Sequence, residues 1–192
     1  MNLAPTPSNS IPVSVVVIVD DPVNPTPLVG RMALKGTRAC VLGAGGAARA
    51  VAVALNAQGS AVTICARQPA AAKEVAALAG GQVGPWPPKP GTWDVLVNAT
   101  SAGGGQVVDP IDGVPLDGEI VFDLVYAPAR TPLLVRAARE GCMTIGGIEM
   151  LVAQAERQFE LWTGIRPPAG LFRSAAAAAT GDDDIASAGG QA

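Results

Sequence analysis

The chain has 192 residues, of which 49% are hydrophobic, and a formal net charge of −3. Its 13 Lys and Arg residues are scattered rather than clustered, so no basic patch favours nucleic-acid binding. The absence of His excludes His-based metal sites, Ser-His triads and imidazole bases. Small side chains supply much of the apolar content and aromatics only 4%, which suits close packing of helices on a sheet and predicts a layered α/β domain.

The cysteines and the N-terminus bear on the cellular compartment. Cys40, Cys65 and Cys142 each lie in an apolar run and form no Cys-x-x-Cys pair, so we expect buried, reduced thiols. A signal peptide would begin with a positively charged region, but no basic residue precedes Arg31. The longest apolar run, residues 13–19, is far too short to span a bilayer. We therefore expect a soluble, cytoplasmic protein with no membrane partner.

Residues 1–34 are predicted to form an N-terminal extension. Residues 1–12 are rich in Pro, Ser and Asn, which favours disorder, whereas residues 13–19 are mostly β-branched and predict one strand. Three prolines then interrupt regular structure up to about Val29. The strand is either an added edge strand of the following sheet or a remnant of another domain.

From Arg38 onward, short apolar runs alternate with Ala-rich helical stretches. Strands are predicted over residues 39–42, 61–65, 81–84, 94–98, 119–125 and 142–145. Helices are predicted over residues 47–57, 70–79, 132–140 and 148–162. This alternation predicts a Rossmann-type α/β fold, a doubly wound and mainly parallel sheet with helices on both faces in three αβα layers. We assign the domain, with its C-terminal helices, to residues 35–179 and expect residues 180–192 to be a disordered tail.

A glycine-rich turn follows the first strand of this domain. Residues 43–48 have the sequence Gly-Ala-Gly-Gly-Ala-Ala and fit the G-x-G-x-x-A pattern. In that pattern Gly43 permits the tight turn, Gly45 lets the backbone approach a pyrophosphate, and Ala48 allows close helix–strand packing. Free N–H groups at the helix N-terminus favour phosphate. The strand–turn–helix context predicts dinucleotide binding, against the alternative of a purely structural turn.

The end of the second strand indicates which dinucleotide is bound. An NAD site typically has Asp or Glu there to bind the ribose 2′-OH, but no carboxylate lies between Asp21 and Glu74. Arg67 lies at this position instead, and its planar guanidinium can donate two charge-assisted hydrogen bonds to a 2′-phosphate. The sequence therefore predicts NADP, against the alternative that Arg67 is an ordinary solvated side chain.

Three further segments follow predicted strands or begin the last helix. They are residues 98–103 (Asn-Ala-Thr-Ser-Ala-Gly), 123–128 (Asp-Leu-Val-Tyr-Ala-Pro) and 147–154 (Gly-Ile-Glu-Met-Leu-Val-Ala-Gln). Singly, each is explained by turn formation or core packing. Together and in this order, they resemble the C-terminal domain of shikimate dehydrogenases. The resemblance runs from about residue 35 to 164 and includes the ending Phe-Glu-Leu-Trp-Thr-Gly.

The resemblance implies a role for each group of residues. The implied cofactor-binding residues are Gly43, Ala44, Gly45, Gly46, Ala47, Arg67, Asn98, Thr100, Leu124 and Gly147. Leu124 and Gly147 would lie against the nicotinamide, and Arg67, in an Ala-Arg-Gln variant of the family's Asn-Arg-Thr-like motif, would bind the 2′-phosphate. Tyr126 and Gln154 would reach toward shikimate. By its spacing, Gln154 shares one helix face with Gly147 and Met150.

The family also has an N-terminal domain with a catalytic Lys and Asp, and none of its motifs precedes Gly43. No catalytic residue is therefore named. We expect the NADP-binding domain of a shikimate-dehydrogenase-like oxidoreductase, which converts 3-dehydroshikimate and NADPH to shikimate and NADP when a substrate domain is supplied. It would be a monomer or paired with such a domain, and the choice between shikimate and quinate stays open. The alternative is a catalytically inactive NADP-binding module acting as sensor or scaffold.

Overall fold

A computed structural model of the chain describes residue 28 and residues 31–100 and 108–180. The predicted disorder of residues 1–12 and the predicted strand over residues 13–19 lie outside the described residues. Of the predicted tail over residues 180–192, only Thr180 is described, and it ends a helix. No helix in the described part of the chain is both long enough and apolar enough to cross a membrane.

The described residues form six strands and five helices. The strands are β1 (Arg38–Leu42), β2 (Ala61–Cys65), β3 (Gln82–Val83), β4 (Val95–Asn98), β5 (Ile120–Asp123) and β6 (Met143–Ile145). The helices are α1 (Gly46–Ala57), α2 (Pro69–Ala79), α3 (Pro132–Arg139), α4 (Gly147–Thr163) and α5 (Leu171–Thr180). The predicted strands and helices are confirmed, with bounds that differ by about two residues at most.

The six strands form one parallel sheet in the order β3-β2-β1-β4-β5-β6. This is the strand order of a dinucleotide-binding Rossmann sheet, in which the winding direction reverses between β1 and β4. All strands point the same way, so their carboxyl ends share one edge, and a crevice for a ligand is expected where the order reverses. The predicted Rossmann-type fold is confirmed.

Alternate residues of β1 enter two hydrophobic clusters, one on each face of the sheet. Val41 packs with the buried faces of α1 and α2. Leu42 packs with α3 and with the buried loop residues Trp93 and Ile111. Because both faces are covered, the central strands are buried along most of their length, which explains their continuous apolar sequences.

Residues immediately before β1 also contact the domain. Leu28 and Leu34 are buried in the cluster that contains α1 and α2. The Nη2 atom of Arg31 lies 3.2 Å from both carboxylate oxygens of Glu149 in the first turn of α4. Through these contacts, the segment before β1 packs against the rest of the domain.

Candidate functional site

An open cleft of about 1270 Å³ lies at the carboxyl edge of the sheet. The loops after β1, β2, β4 and β5 line it, together with the beginning of α1 and one face of α4. Most of the predicted site residues line this cleft, namely Gly43, Ala44, Gly45, Gly46, Ala47, Arg67, Thr100, Leu124, Tyr126 and Gln154. The sheet topology thus brings together residues that are far apart in the sequence.

Gly43 makes the turn between β1 and α1. Its φ of 106° lies in the left-handed region, and a β-carbon there would lie 3.0 Å from the carbonyl oxygen of Ala99. Its N–H donates to the carbonyl oxygen of Cys65 at 2.9 Å. Gly43 therefore has a structural role. It allows the loops after β1 and β4 to come into contact, and its N–H already has an acceptor within the protein.

Gly45 and Gly46, by contrast, face open space. A β-carbon built on either residue would meet no atom within 4 Å. Gly45 is the N-cap of α1, no side chain caps that helix end, and its first turn contains no acidic residue. The first-turn N–H groups and the positive end of the helix dipole therefore lie at the cleft without a capping side chain. Such a helix end suits a phosphate group.

Arg67 supplies a second positive group in the same cleft. It follows β2, is exposed, and makes no hydrogen bond or ion pair within the described residues. Arg49 on α1 differs, because its Nη2 atom lies 3.3 Å from Oε2 of Glu74 on α2. Among the described residues that line the cleft, Arg67 is the only cation and none carries a carboxylate. Its guanidinium is thus available to a bound anion.

A buried hydrogen-bond network lies below the cleft, at the ends of β4 and β5. Asn98 donates from Nδ2 to Oδ1 of Asp123 at 2.9 Å and accepts at Oδ1 from N and Oγ1 of Thr100, at 3.1 and 2.6 Å. Asp123 also accepts from Oγ1 of Thr131 at 2.7 Å and from the N–H of Val125 at 3.0 Å. The network fixes the two loops that follow these strands.

The burial of Asp123 affects its ionisation. Burial raises the pKa of its carboxyl group above the ordinary value, while hydrogen bonds from Thr131, Val125 and Asn98 act in the opposite direction. Burial has the larger effect. Asn98, a predicted cofactor residue, is itself buried and does not line the cleft. Its side chain instead holds Thr100, which lines the cleft, through two hydrogen bonds.

Gly147 begins α4 against the loop that follows β5. A β-carbon there would lie 2.5 Å from the carbonyl oxygen of Leu124 and 2.7 Å from the carbonyl carbon of Val125. Gly147 is buried and lies behind the cleft lining rather than in it. The close approach that it allows sets the position of α4, so that Met150 and Gln154 both line the cleft. The predicted shared helix face of these two residues is confirmed.

Two polar side chains lie toward the α4 side of the cleft. Tyr126 is 51% exposed and Gln154 is half-buried, and both line the cleft. Neither side chain makes a hydrogen bond with the described part of the chain. Both are therefore available to a ligand.

The Lys, Asp and Glu side chains of the described residues lie outside the cleft lining. Lys35 lies at the amino end of the strands, where its Cγ atom would be 3.3 Å from a β-carbon on Gly59. Lys73 on α2 and Lys89 after β3 are exposed and do not line the cleft. The described cleft-lining residues include no Lys, Asp or Glu.

The three cysteines are buried and free, as predicted. The Sγ atoms of Cys40 and Cys65 lie 3.6 Å apart in the core. The hydrogen bond to Cys65, together with burial, raises the pKa of the Cys40 thiol. Burial likewise raises the pKa of Cys142.

Comparison with known proteins relates this fold and cleft to one family. A family model described as the shikimate 5′-dehydrogenase C-terminal domain matches residues 147–177. The NADP(+)-dependent shikimate dehydrogenase of Archaeoglobus fulgidus is 42% identical over 153 residues, which cover 74% of this chain and 57% of that protein. This domain belongs to the shikimate dehydrogenase family. The predicted resemblance is confirmed.

Solved structures show the same relationship. The shikimate 5-dehydrogenase of Thermus thermophilus, in complex with NADP(H) and shikimate, is 38% identical with a TM-score of 0.70. The match covers 78% of this chain and 57% of that one. The 5-ketofructose reductase of a Gluconobacter strain is 34% identical with a TM-score of 0.67, over 81% of this chain and 59% of that one. The chain thus spans somewhat more than half the length of the relatives it matches.

Proposed function

We propose that this domain binds NADP and forms the cofactor half of a shikimate-dehydrogenase-like oxidoreductase. The observation that carries the proposal is the presence, in one cleft, of the uncapped N-terminus of α1 and the unpartnered guanidinium of Arg67. Two separate anion sites at the switch point of a Rossmann sheet fit the pyrophosphate and the 2′-phosphate of NADP. The NADP(+)-dependent relatives support the same cofactor.

The chain's own residues fit this cofactor. The open space beside Gly45 and Gly46 leaves room for a pyrophosphate against the first turn of α1. Arg67 would bind the 2′-phosphate, and Leu124 and Met150 offer an apolar surface for the nicotinamide. When bound, NADP supplies the hydride-carrying carbon of its nicotinamide ring. The domain binds and orients that ring at the carboxyl edge of the sheet.

We also propose that Tyr126 and Gln154 contact a substrate of the shikimate class. Their polar groups line the cleft beside Leu124 and Met150 and have no partner within the described residues. The reaction would interconvert 3-dehydroshikimate and shikimate, with hydride moving to or from C3 and a proton moving to or from the oxygen on it. The described cleft lining offers no Lys, Asp or Glu for that proton. We therefore expect turnover to require groups beyond this lining.

A second candidate is a catalytically inactive NADP-binding module that acts as sensor or scaffold. The lack of a Lys–Asp pair among the described cleft-lining residues favours it for the chain acting alone. Tyr126 and Gln154 favour the enzyme, because a module that only binds the cofactor needs neither side chain.

Steady-state NADPH formation by the full chain, with saturating NADP and shikimate, separates the candidates. We expect calorimetric binding of NADP, with shikimate oxidation at or below detection for the chain alone. Addition of a separately expressed substrate domain from a relative should restore turnover if the chain is the cofactor half of an enzyme, and quinate in a parallel assay tests the substrate. Failure to restore turnover favours the module. Turnover of about one per second or faster by the chain alone would show that its catalytic groups are already present.

A further inference from the structure

Trp86 lies in the loop after β3, at the same edge of the sheet as Arg67. The N–H of Gly84 donates to the carbonyl oxygen of Ile64 at 2.9 Å, which carries the pairing of β3 with β2 toward the cleft. Trp86 is half-buried, packs against the hydrophobic cluster that contains Leu42, and lines the cleft. Part of its indole therefore rests on the core while the rest faces the cleft.

Gly84 explains why this loop comes so close to β2. A β-carbon on Gly84 would lie 2.6 Å from Cγ2 of Thr63 and 2.7 Å from Sγ of Cys65. A larger residue at this position would have to displace the side chains of Thr63 and Cys65. The loop is thereby held beside the end of β2, where Arg67 follows.

We infer that Trp86 is the stacking surface for the adenine ring of the cofactor, an inference that rests on the proposed NADP site. In NADP the 2′-phosphate and the adenine are attached to adjacent carbons of one ribose. If Arg67 binds the phosphate, the base must lie close by. The other cleft-lining residues of the segment that contains Arg67 are Ala66, Gln68 and Ala71, none of which is aromatic. The described cleft lining contains two aromatic residues, Trp86 and Tyr126.

The indole is chemically suited to this role. Stacking on an aromatic ring is a common way to hold a nucleobase, because every base has a π-face. The packing of Trp86 on the Leu42 cluster limits its motion before any ligand binds, so less conformational entropy is lost on binding. Tyr126, the other aromatic residue in the described cleft lining, lies in the loop after β5 and serves the proposed substrate side.

Two substitutions separate stacking from packing. Trp86→Phe keeps an aromatic ring, whereas Trp86→Leu keeps an apolar side chain without one. Calorimetry on the full chain should show that Trp86→Leu weakens binding of adenosine 2′,5′-bisphosphate and of NADP by the same factor, about fivefold to a hundredfold. Trp86→Phe should lose much less affinity for both ligands, because it keeps an aromatic ring. Equal affinity of Trp86→Leu and the unsubstituted chain would overturn the inference.

Indole fluorescence gives a readout that does not depend on the stability of the variants. The chain has three tryptophans, of which Trp93 is buried in the core and Trp162 is 78% exposed at the end of α4. In a Trp162→Phe background, saturation with adenosine 2′,5′-bisphosphate should quench the emission of Trp86, and adding Trp86→Phe should abolish the quench. Emission unchanged at saturation would overturn the inference.

The two proposals fail in different ways. NADP binding that depends on Arg67 but not on Trp86 would overturn the adenine inference and leave the proposed function standing. An unsubstituted chain that does not bind NADP would overturn both.

Discussion

The Nδ2 atom of Asn98 lies 2.9 Å from Oδ1 of Asp123, and this bond joins the ends of β4 and β5. The two residues are also direct partners in the register of the sheet. Thr100 depends on Asn98 for two hydrogen bonds, and the loop that carries Tyr126 depends on Asp123. Two loops that line the cleft therefore share one buried support.

Loss of that support should destabilise the domain. Asp123→Ala leaves the donors of Asn98, Val125 and Thr131 without their acceptor, and each unsatisfied buried donor costs about 1–3 kcal/mol. We expect the free energy of unfolding to fall by about 3–5 kcal/mol, within the range for a broken buried network. Asp123→Asn keeps one acceptor oxygen and should lose only about 1–2 kcal/mol. Urea unfolding measures both free energies, and equally small losses for Asp123→Ala and Asp123→Asn would contradict this role of Asp123.

The raised pKa of Asp123 predicts how stability depends on pH. The folded state binds the Asp123 proton more tightly than the unfolded state, because burial disfavours the carboxylate. This contribution to stability is complete below the ordinary Asp pKa of about 3.9 and is lost as pH rises through the raised value. The unfolding free energy of the unsubstituted chain, relative to Asp123→Asn, should therefore fall as pH rises above about 4. A relative stability that rises with pH would contradict the prediction.

Gly45 and Gly43 should respond differently to the same substitution. Gly45 has a φ of −80° and open space around it, so Gly45→Ala should change the unfolding free energy by less than about 1 kcal/mol. The added methyl group occupies the proposed phosphate space, and NADP affinity should fall at least about tenfold. Gly43→Ala should instead destabilise the fold by about 1–3 kcal/mol, because of its positive φ and its contact with Ala99. Thermal unfolding and calorimetry measure both effects, and unchanged NADP binding by Gly45→Ala would count against the proposed phosphate position.

Arg136 should hold the loop between β4 and β5. It donates to Oδ2 of Asp109 at 2.7 Å and to the carbonyl oxygens of Val114 and Ile111 at 2.6 and 3.2 Å. Arg136→Met keeps the apolar stem but removes these bonds, so we expect a loss of about 2–4 kcal/mol and faster hydrogen exchange over residues 109–116. Arg139→Met, on an exposed position of the same helix, is the matched control. Similar exchange in the two variants would contradict the prediction.

The fold could be predicted because its signals are local. The turn over residues 43–48 follows from its own glycines, and alternating apolar runs and helical stretches specify a parallel sheet without any long-range information. The Asn98–Asp123 pair could not be predicted in the same way. The two residues are 25 positions apart, and their contact depends on the register of the whole sheet. Polar residues at the ends of two apolar strands are the only sign of it in the sequence.

The positions of Trp86 and Gly147 at the cleft likewise depend on contacts that the local sequence does not reveal. Trp86 reaches the cleft because Gly84 passes close to β2, a contact that the loop sequence does not reveal. A tryptophan just past the end of a predicted strand is the signal that could have found it. The family resemblance implies that Gly147 lies against the nicotinamide, which stays a prediction. The structure shows in addition a close contact of Gly147 with the backbone of Leu124. A glycine at a helix start indicates a close approach but not which group approaches.

We expect the cleft to bind NADP and to distinguish NADP from NAD by the 2′-phosphate. Arg67 is exposed and makes no hydrogen bond or ion pair within the described residues, so Arg67→Ala should leave the unfolding free energy nearly unchanged. Charge-assisted hydrogen bonds contribute about 1.5–3 kcal/mol, which corresponds to roughly a ten- to hundredfold change in affinity. Arg49→Ala is the matched control, because Arg49 pairs with Glu74 and does not line the cleft.

Calorimetric titration of the full chain and of both variants, with NADP and with NAD, measures this selectivity. We predict that Arg67→Ala weakens NADP binding by about ten- to a hundredfold, changes NAD binding little, and that Arg49→Ala changes neither. Equal losses for both cofactors, or no NADP binding by the unsubstituted chain, would contradict it.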